Sequence, residues 1–204
     1  MTSDPIQIIF SLAILLVSII AHEVAHGLAA DSQGDHTARF AGRLTLNPLP
    51  HIDLMGSIIL PGLLFTLGSP VLFGWAKPVP VNFDYIRTTL GRVFVAAAGV
   101  LTNLGLAIVF GLLIRFGGDA LPAAFLELAN YGALINIVLA VFNSIPIPPL
   151  DGSKIIAPFL PPRFEGLIYQ MEQFGFFLLI FFILFLWPMF SPLIELLYRI
   201  IVGA

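Results

Sequence analysis

The chain contains no cysteine. That absence excludes disulfides, thiolate metal sites and a cysteine nucleophile, so any metal must be held by histidine and carboxylate. Histidine itself is scarce, with only 4, at positions 22, 26, 36 and 51. Charge is scarce too. Only 10% of the 204 residues are Asp, Glu, Lys or Arg, against about 25% in a soluble domain. So few charges cannot cover a water-facing surface, and no basic run of the kind that grips nucleic acid is present. Neither a G-x-S-G serine motif nor a pair of intramembrane aspartates of the G-x-G-D type occurs.

What is there is apolar. Hydrophobic residues make up 58% of the chain, mean hydropathy is +1.00, and Phe (19) far outnumbers Tyr (4) and Trp (2). Most of the outer surface must therefore face lipid. The stretch from Pro5 to Ala30 is long enough to cross a bilayer of about 30 Å. With Asp4 in place of a basic leader it reads as a retained span, not a cleaved signal. Thr89–Phe116, Leu121–Ile145 and Leu167–Trp187 are further candidate spans. Met55–Phe73 is apolar but broken by Gly56, Pro61, Gly62, Gly68 and Pro70, and the tail after Pro188 reads either as interfacial or as a further span. Alternating pieces such as Thr37–Thr45, and the Pro-rich run Gly74–Asn82, suggest short extended strands. The expected fold is an all-α polytopic membrane protein of about four to five transmembrane helices. A re-entrant segment and short membrane-associated β-strands complete it, in one domain over residues 1–204. Its catalytic core covers about residues 5–156, with hydrophobic helices over about 167–204.

His22-Glu23-Val24-Ala25-His26 is an H-E-x-x-H sequence. On a helix, residues four apart share one face, so the two imidazoles can converge on one Zn²⁺. Glu23 then lies on the flank, placed to take a proton from a water on the metal. The bland reading is two histidines packed in a bundle. Against it, each ionisable group at bilayer depth costs about 2.5–3.5 kcal/mol, and here three fall within five residues. Catalytic zinc normally has a third protein ligand. Asp151, at the end of the run Asn143-Ser-Ile-Pro-Ile-Pro-Pro-Leu-Asp151-Gly152, is the better candidate, although it could equally cap a helix beginning at Ser153.

These two motifs resemble the site-2 protease family of intramembrane zinc metalloproteases, in which H-E-x-x-H and a distant N-x-x-P-x-P-x-L-D-G together build the zinc site. Here they are His22–His26, and Asn143, Pro146, Pro148, Leu150, Asp151 and Gly152. Gly34–Asp53 and Phe73–Asn82 resemble the short bacterial branch that lacks a PDZ domain. The resemblance covers about residues 10–156, and the C-terminal quarter matches only in being hydrophobic. It implies one zinc ion on His22, His26 and Asp151, with Glu23 as general base and Asn143 at the substrate or oxyanion. It also implies transmembrane proteins as substrates and a bacterial inner-membrane location. The branch usually has Ala-Gly-Pro before an Asn, whereas Ala98-Gly99-Val100 precedes Asn103 here.

If His22, His26 and Asp151 share one ion, the number of crossings between them is even, so Met55–Phe73 should enter and leave by one side. That topology places Arg39, Arg43, Lys77, Arg87, Arg92, Lys154 and Arg163 on one face and Arg115 and Arg199 on the other. By the positive-inside rule the site then lies toward the cytoplasm. His51 and Asp53 read as a solvated loop pair, His36 as surface, and Asn103 and Asn136 as interhelical hydrogen-bonding groups or groove lining. Two rival functions remain, a metal transporter or channel and an inactive family member acting as a binding scaffold. A transporter would carry ligands on several crossing helices, and a dead scaffold would lack a ligand or the base.

Overall fold

A computed structural model describes residues 5–68 and 74–203. Its principal helices are α1 (Pro5–Ser32), α2 (Thr37–Phe40), α3 (Leu60–Thr66), α4 (Thr89–Gly117), α5 (Ala123–Asn143), α6 (Asp151–Ile156), α7 (Glu165–Gln173), α8 (Gly175–Phe181) and α9 (Ser191–Val202). Among the described residues, three helices are long and apolar enough to cross a membrane: Gln7–Ser32, Thr89–Gly117 and Ala123–Asn143. The protein is a membrane protein.

Small residues let these three helices approach closely. Along α4 the buried positions step by about one turn through Gly91, Val95, Gly99, Asn103, Ala107 and Gly111. On α5 the matching stripe is Ala129, Gly132, Ala133, Asn136, Ile137 and Ala140. In lipid, such stripes bring backbones into van der Waals contact where no hydrophobic force acts between helices. The outward faces carry exposed Ile9, Leu12 and Val17 on α1 and Leu101, Val109 and Leu112 on α4.

The helix directions follow from the cross-links. Val95, Asn103 and Glu127 are matched by His26, Ser18 and Gln7 of α1, so α1 runs antiparallel to α4 and parallel to α5. The end of α1 and the start of α4 therefore lie together, with Gln33 against Gly91. A polar chain crosses the middle: Asn103 Nδ2 donates to Asn136 Oδ1 (2.9 Å), and Asn136 Nδ2 donates to Ser18 Oγ (2.9 Å). Both asparagines thus hydrogen-bond between helices, as their intramembrane position implies.

Several expectations change. Among the described residues there is no β-strand. Thr37–Phe40 winds into α2, and the extended run 76–81 lacks ladder partners because Pro78 and Pro80 have no N–H. The remaining groups of that run are held mainly by side chains, described below. Met55–Phe73 begins as a π-helical turn over Leu54–Ile59 and continues as α3, while residues 69–73 lie outside the described residues. Trp75 N–H donates to Gly56 O (3.1 Å) and Ser57 Oγ–H to Trp75 O (2.8 Å), so the excursion begins and ends at one place. Leu167–Trp187 is not one uninterrupted α-helix. It is divided among α7, α8, a π-helical stretch over Phe182–Leu186 and a 3₁₀ turn from Trp187. The break falls where Gly175 lies against Pro149, a contact that leaves little room for a side chain.

The C-terminal pieces clothe the bundle. Phe182 is buried with Ile145 and Leu150, and α9 lays Ile194, Leu197, Tyr198 and Ile201 over Ala107, Ile137 and Val141. This quarter runs from Pro149, beside Gly175, to Arg115, beside Gly203.

Candidate metal centre

His22 and His26 sit on the α1 stripe facing α4, and both are buried, at 7% and 9% exposure. Opposite them, Gly99 lies roughly 15 Å along α4 from Thr89 at the α-helical rise. The third group arrives from α6. After α5 ends at Asn143, the chain folds through tight turns, with Ile147 N–H to Ile145 O (2.8 Å) and Leu150 N–H to Ile147 O (2.9 Å). Ile145 and Leu150 are buried against Phe182, which pins this loop. Gly152 is required there, because a Cβ would lie 2.3 Å from Ser144 O and 2.4 Å from Ile145 O. Asp151 thereby comes under the two imidazoles, itself 5% exposed.

Asp151 Oδ2 lies 3.0 Å from His22 Nε2 and 3.0 Å from His26 Nε2, and the two Nε2 atoms are 3.1 Å apart. The tautomers follow from the outer partners. Asn103 uses its Nδ2 toward Asn136, so its Oδ1 accepts from His22 Nδ1–H at 2.6 Å. Val95 O accepts from His26 Nδ1–H at 2.7 Å. In the neutral imidazoles each Nε2 is therefore a lone pair, and with the carboxylate oxygen three such donors face one another at about 3 Å. A cation relieves that repulsion. Tetrahedral zinc with bonds of about 2.0–2.1 Å has ligand–ligand edges of about 3.3 Å, close to the triangle seen. Gly99 keeps the space clear, since a Cβ there would stand 2.4 Å from His26 Nε2 and 2.5 Å from His22 Nε2.

Asp151 does not cap a helix. It is the first residue of α6, with Leu150 at the cap and no side-chain cap bond. Its other oxygen, Oδ1, lies 3.4 Å from Lys154 Nζ. Glu23 is half-buried on the flank, where its Oε2 accepts Val79 N–H at 2.9 Å. Asn143 turns its amide onto its own helix, donating to Leu139 O at 3.0 Å. His51 is not solvated as expected. It is 2% exposed, donates from Nε2 to Thr45 O (2.9 Å) and faces Arg43. His36 is exposed and paired with Asp31.

Sequence reasoning did not identify Gly99, Val95 O or the specific task of Asn103. Signals existed for two of them. A glycine inside a helix costs about 1 kcal/mol relative to alanine and needs a reason, and a buried amide in a span needs a partner.

The chain also resembles known proteins. Residues 111–186 match Peptidase family M50, a match that runs past residue 156 into the C-terminal quarter. YwhC of Bacillus subtilis, provisionally named a zinc metalloprotease, is 39% identical over 183 residues, covering 86% of this chain and 79% of its own length. Rip2 of Mycobacterium tuberculosis, with a name of the same kind, is 34% identical over 169 residues, covering 82% of this chain. The aligned chain spans 64% of Rip2. MJ0611 of Methanocaldococcus jannaschii, again so named, is 30% identical over 158 residues and 72% of each chain is covered. No solved structure matches significantly. The chain belongs to Peptidase family M50, the site-2 protease family of membrane-embedded zinc metalloproteases.

Proposed function

We propose that the chain hydrolyses peptide bonds within or beside the transmembrane segments of membrane-protein substrates, with zinc held by His22, His26 and Asp151. The observation that carries this reading is the triangle of three lone-pair donors about 3.0 Å apart, buried within the helix bundle and backed by Gly99. A zinc ion bound there supplies Lewis acidity and lowers the pKa of a coordinated water toward about 7. Glu23, next to His22 on α1, takes the proton from the attacking water and returns it to the leaving amine. Asn143, at the end of α5 and eight residues before Asp151, offers an amide N–H to the developing oxyanion. Asn103 and Val95 hold the imidazoles in the ligating tautomer.

The topology reading is of the same kind. The return of the 54–75 excursion to Gly56 supports entry and exit by one side, as a re-entrant segment requires. The passage of the C-terminal quarter from Pro149 to Arg115 supports a fourth, broken crossing. The excess of Arg and Lys at the end that holds α2, α6 and the start of α4 supports a site facing the cytoplasm of a bacterial inner membrane.

The test is metal analysis and cleavage of a transmembrane peptide by the purified full chain, alongside Glu23→Gln and Asp151→Ala. Glu23→Gln should keep zinc and lose cleavage, whereas Asp151→Ala should lose zinc. Cleavage surviving in Glu23→Gln would sink the assignment. Metal moving across vesicles independently of both residues would favour a transporter.

A further inference from the structure

Outside the metal triangle, buried Asp35, Arg43 and His51 gather around the run 75–82. This strap crosses the end of α1. Val79 is buried, and its Cγ1 would lie 2.8 Å from a Cβ at Gly27, one turn beyond Glu23. Its backbone is fastened from four sides. Lys77 N–H donates to His51 O (2.9 Å), and Asn82 N–H to Asp35 Oδ2 (2.7 Å). Val79 N–H donates to Glu23 Oε2 (2.9 Å). Arg43 Nη2 donates to Lys77 O (2.7 Å) and Pro78 O (3.3 Å).

Arg43 is an unusual residue to bury. It is 7% exposed, its neighbours across these bonds are neutral carbonyls and His51 Nδ1 (3.5 Å), and its Nε has no hydrogen-bond partner. A buried guanidinium without a carboxylate is costly, and the groups it does hold are the two carbonyls immediately before Val79. Those carbonyls set the position of the next N–H, which ends on Glu23. The flanking prolines Pro78 and Pro80 stiffen the run and leave Val79 as the one donor between them. With Oε2 tied to Val79, the carboxylate is fixed in rotation and Oε1 is left for the water.

We propose that Arg43 is a positioning residue, clamping the Lys77 and Pro78 carbonyls so that the Val79 N–H orients the Glu23 carboxylate. This inference rests on the protease reading above. Arg43 touches neither the ligands nor the space between them, so its loss should act on turnover and not on metal or substrate affinity.

The test uses the purified full chain with zinc content, KM and kcat measured on one transmembrane peptide. Variants are Arg43→Gln, Arg43→Lys and a backbone ester at Val79, which deletes that N–H and weakens the Pro78 acceptor of the same clamp. In Arg43→Gln and the ester, kcat should fall roughly 10–100-fold with zinc and KM unchanged, the range typical of outer-sphere partners. The double variant should lose no more than either alone, as members of one chain of contacts do. Arg43→Lys, with one point donor in place of a fork, should fall between. Full kcat in the ester overturns the proposal, as does a loss expressed in KM or zinc. If Arg43→Gln does not fold, Arg43→Lys read beside the ester decides, and full kcat in Arg43→Lys overturns the clamp. Glu23→Gln in the same preparations separates the two readings. Its continued activity would end the assignment of Glu23 as the base, whereas its inactivity beside an unimpaired ester would end only the clamp.

Discussion

His22 Nδ1–H donates to Asn103 Oδ1 across 2.6 Å, joining the metal helix to the middle of α4. This bond decides which nitrogen of His22 faces Asp151, and Asn103 is in turn held by Asn136. Asn103→Leu should therefore lower zinc affinity by about 10–100-fold without removing a ligand. Competition with a calibrated chelator checks this, and unchanged zinc affinity would show that the tautomer is set elsewhere.

Gly99→Ala should abolish zinc binding while leaving the bundle folded. The added methyl would stand 2.4–2.5 Å from both ligating nitrogens. Alanine is the better helix former by about 1 kcal/mol, so helix loss cannot explain the result. Metal content beside far-ultraviolet circular dichroism distinguishes the two outcomes.

The helical core and the donor set were legible because both rest on local rules. Three long apolar runs have the length and composition to cross a membrane, and the four-residue spacing of His22 and His26 puts them on one face wherever the helix lies. What Asn103 and Glu23 touch was not legible, since no spacing along one helix says which atom of another will meet it. Strands were expected from the alternation in Thr37–Thr45, but a strand also needs a partner ladder. Near this segment the backbone groups of the 76–82 run are held by Arg43, Glu23 and Asp35. Hydropathy averaged over Leu167–Trp187 hides Gln170, Glu172 and Gln173, the polar group that lies just before the bend at Gly175.

Asp35 gives an acid-dependent prediction. Burial pushes its carboxyl up, but hydrogen bonds from the Thr37 side chain and from the Asn82 and Thr37 N–H groups outweigh this and hold it below the usual carboxylate range. A depressed folded value stabilises the protein above the unfolded value of about 3.9, and that stability is lost as pH falls through the folded one. The thermal stability gap between the native chain and Asp35→Asn should therefore be full near neutrality and shrink below about pH 4. A gap independent of pH would show that the carboxylate charge is not what fastens the strap.

Gly111→Val should dislodge α9. A Cβ at Gly111 would lie 2.3 Å from Ile201 Cγ2 and 2.9 Å from Ile201 O, and backbone cannot yield as a side-chain tip can. Overpacking of this kind costs typically about 1–3 kcal/mol. Unfolding in mild detergent should show the loss, with zinc retained because α9 contributes no ligand. Loss of zinc would instead mean that the C-terminal quarter supports the metal loop.

The hydrogen-bonded chain from the Ser18 hydroxyl through the Asn136 and Asn103 amides to the His22 imidazole is buried among the three long helices. Sliding or twisting any one of the three long helices would strand several of these groups at once. The trio consequently behaves as a rigid frame, with α3 and the jointed segment from α7 to α9 hung around it.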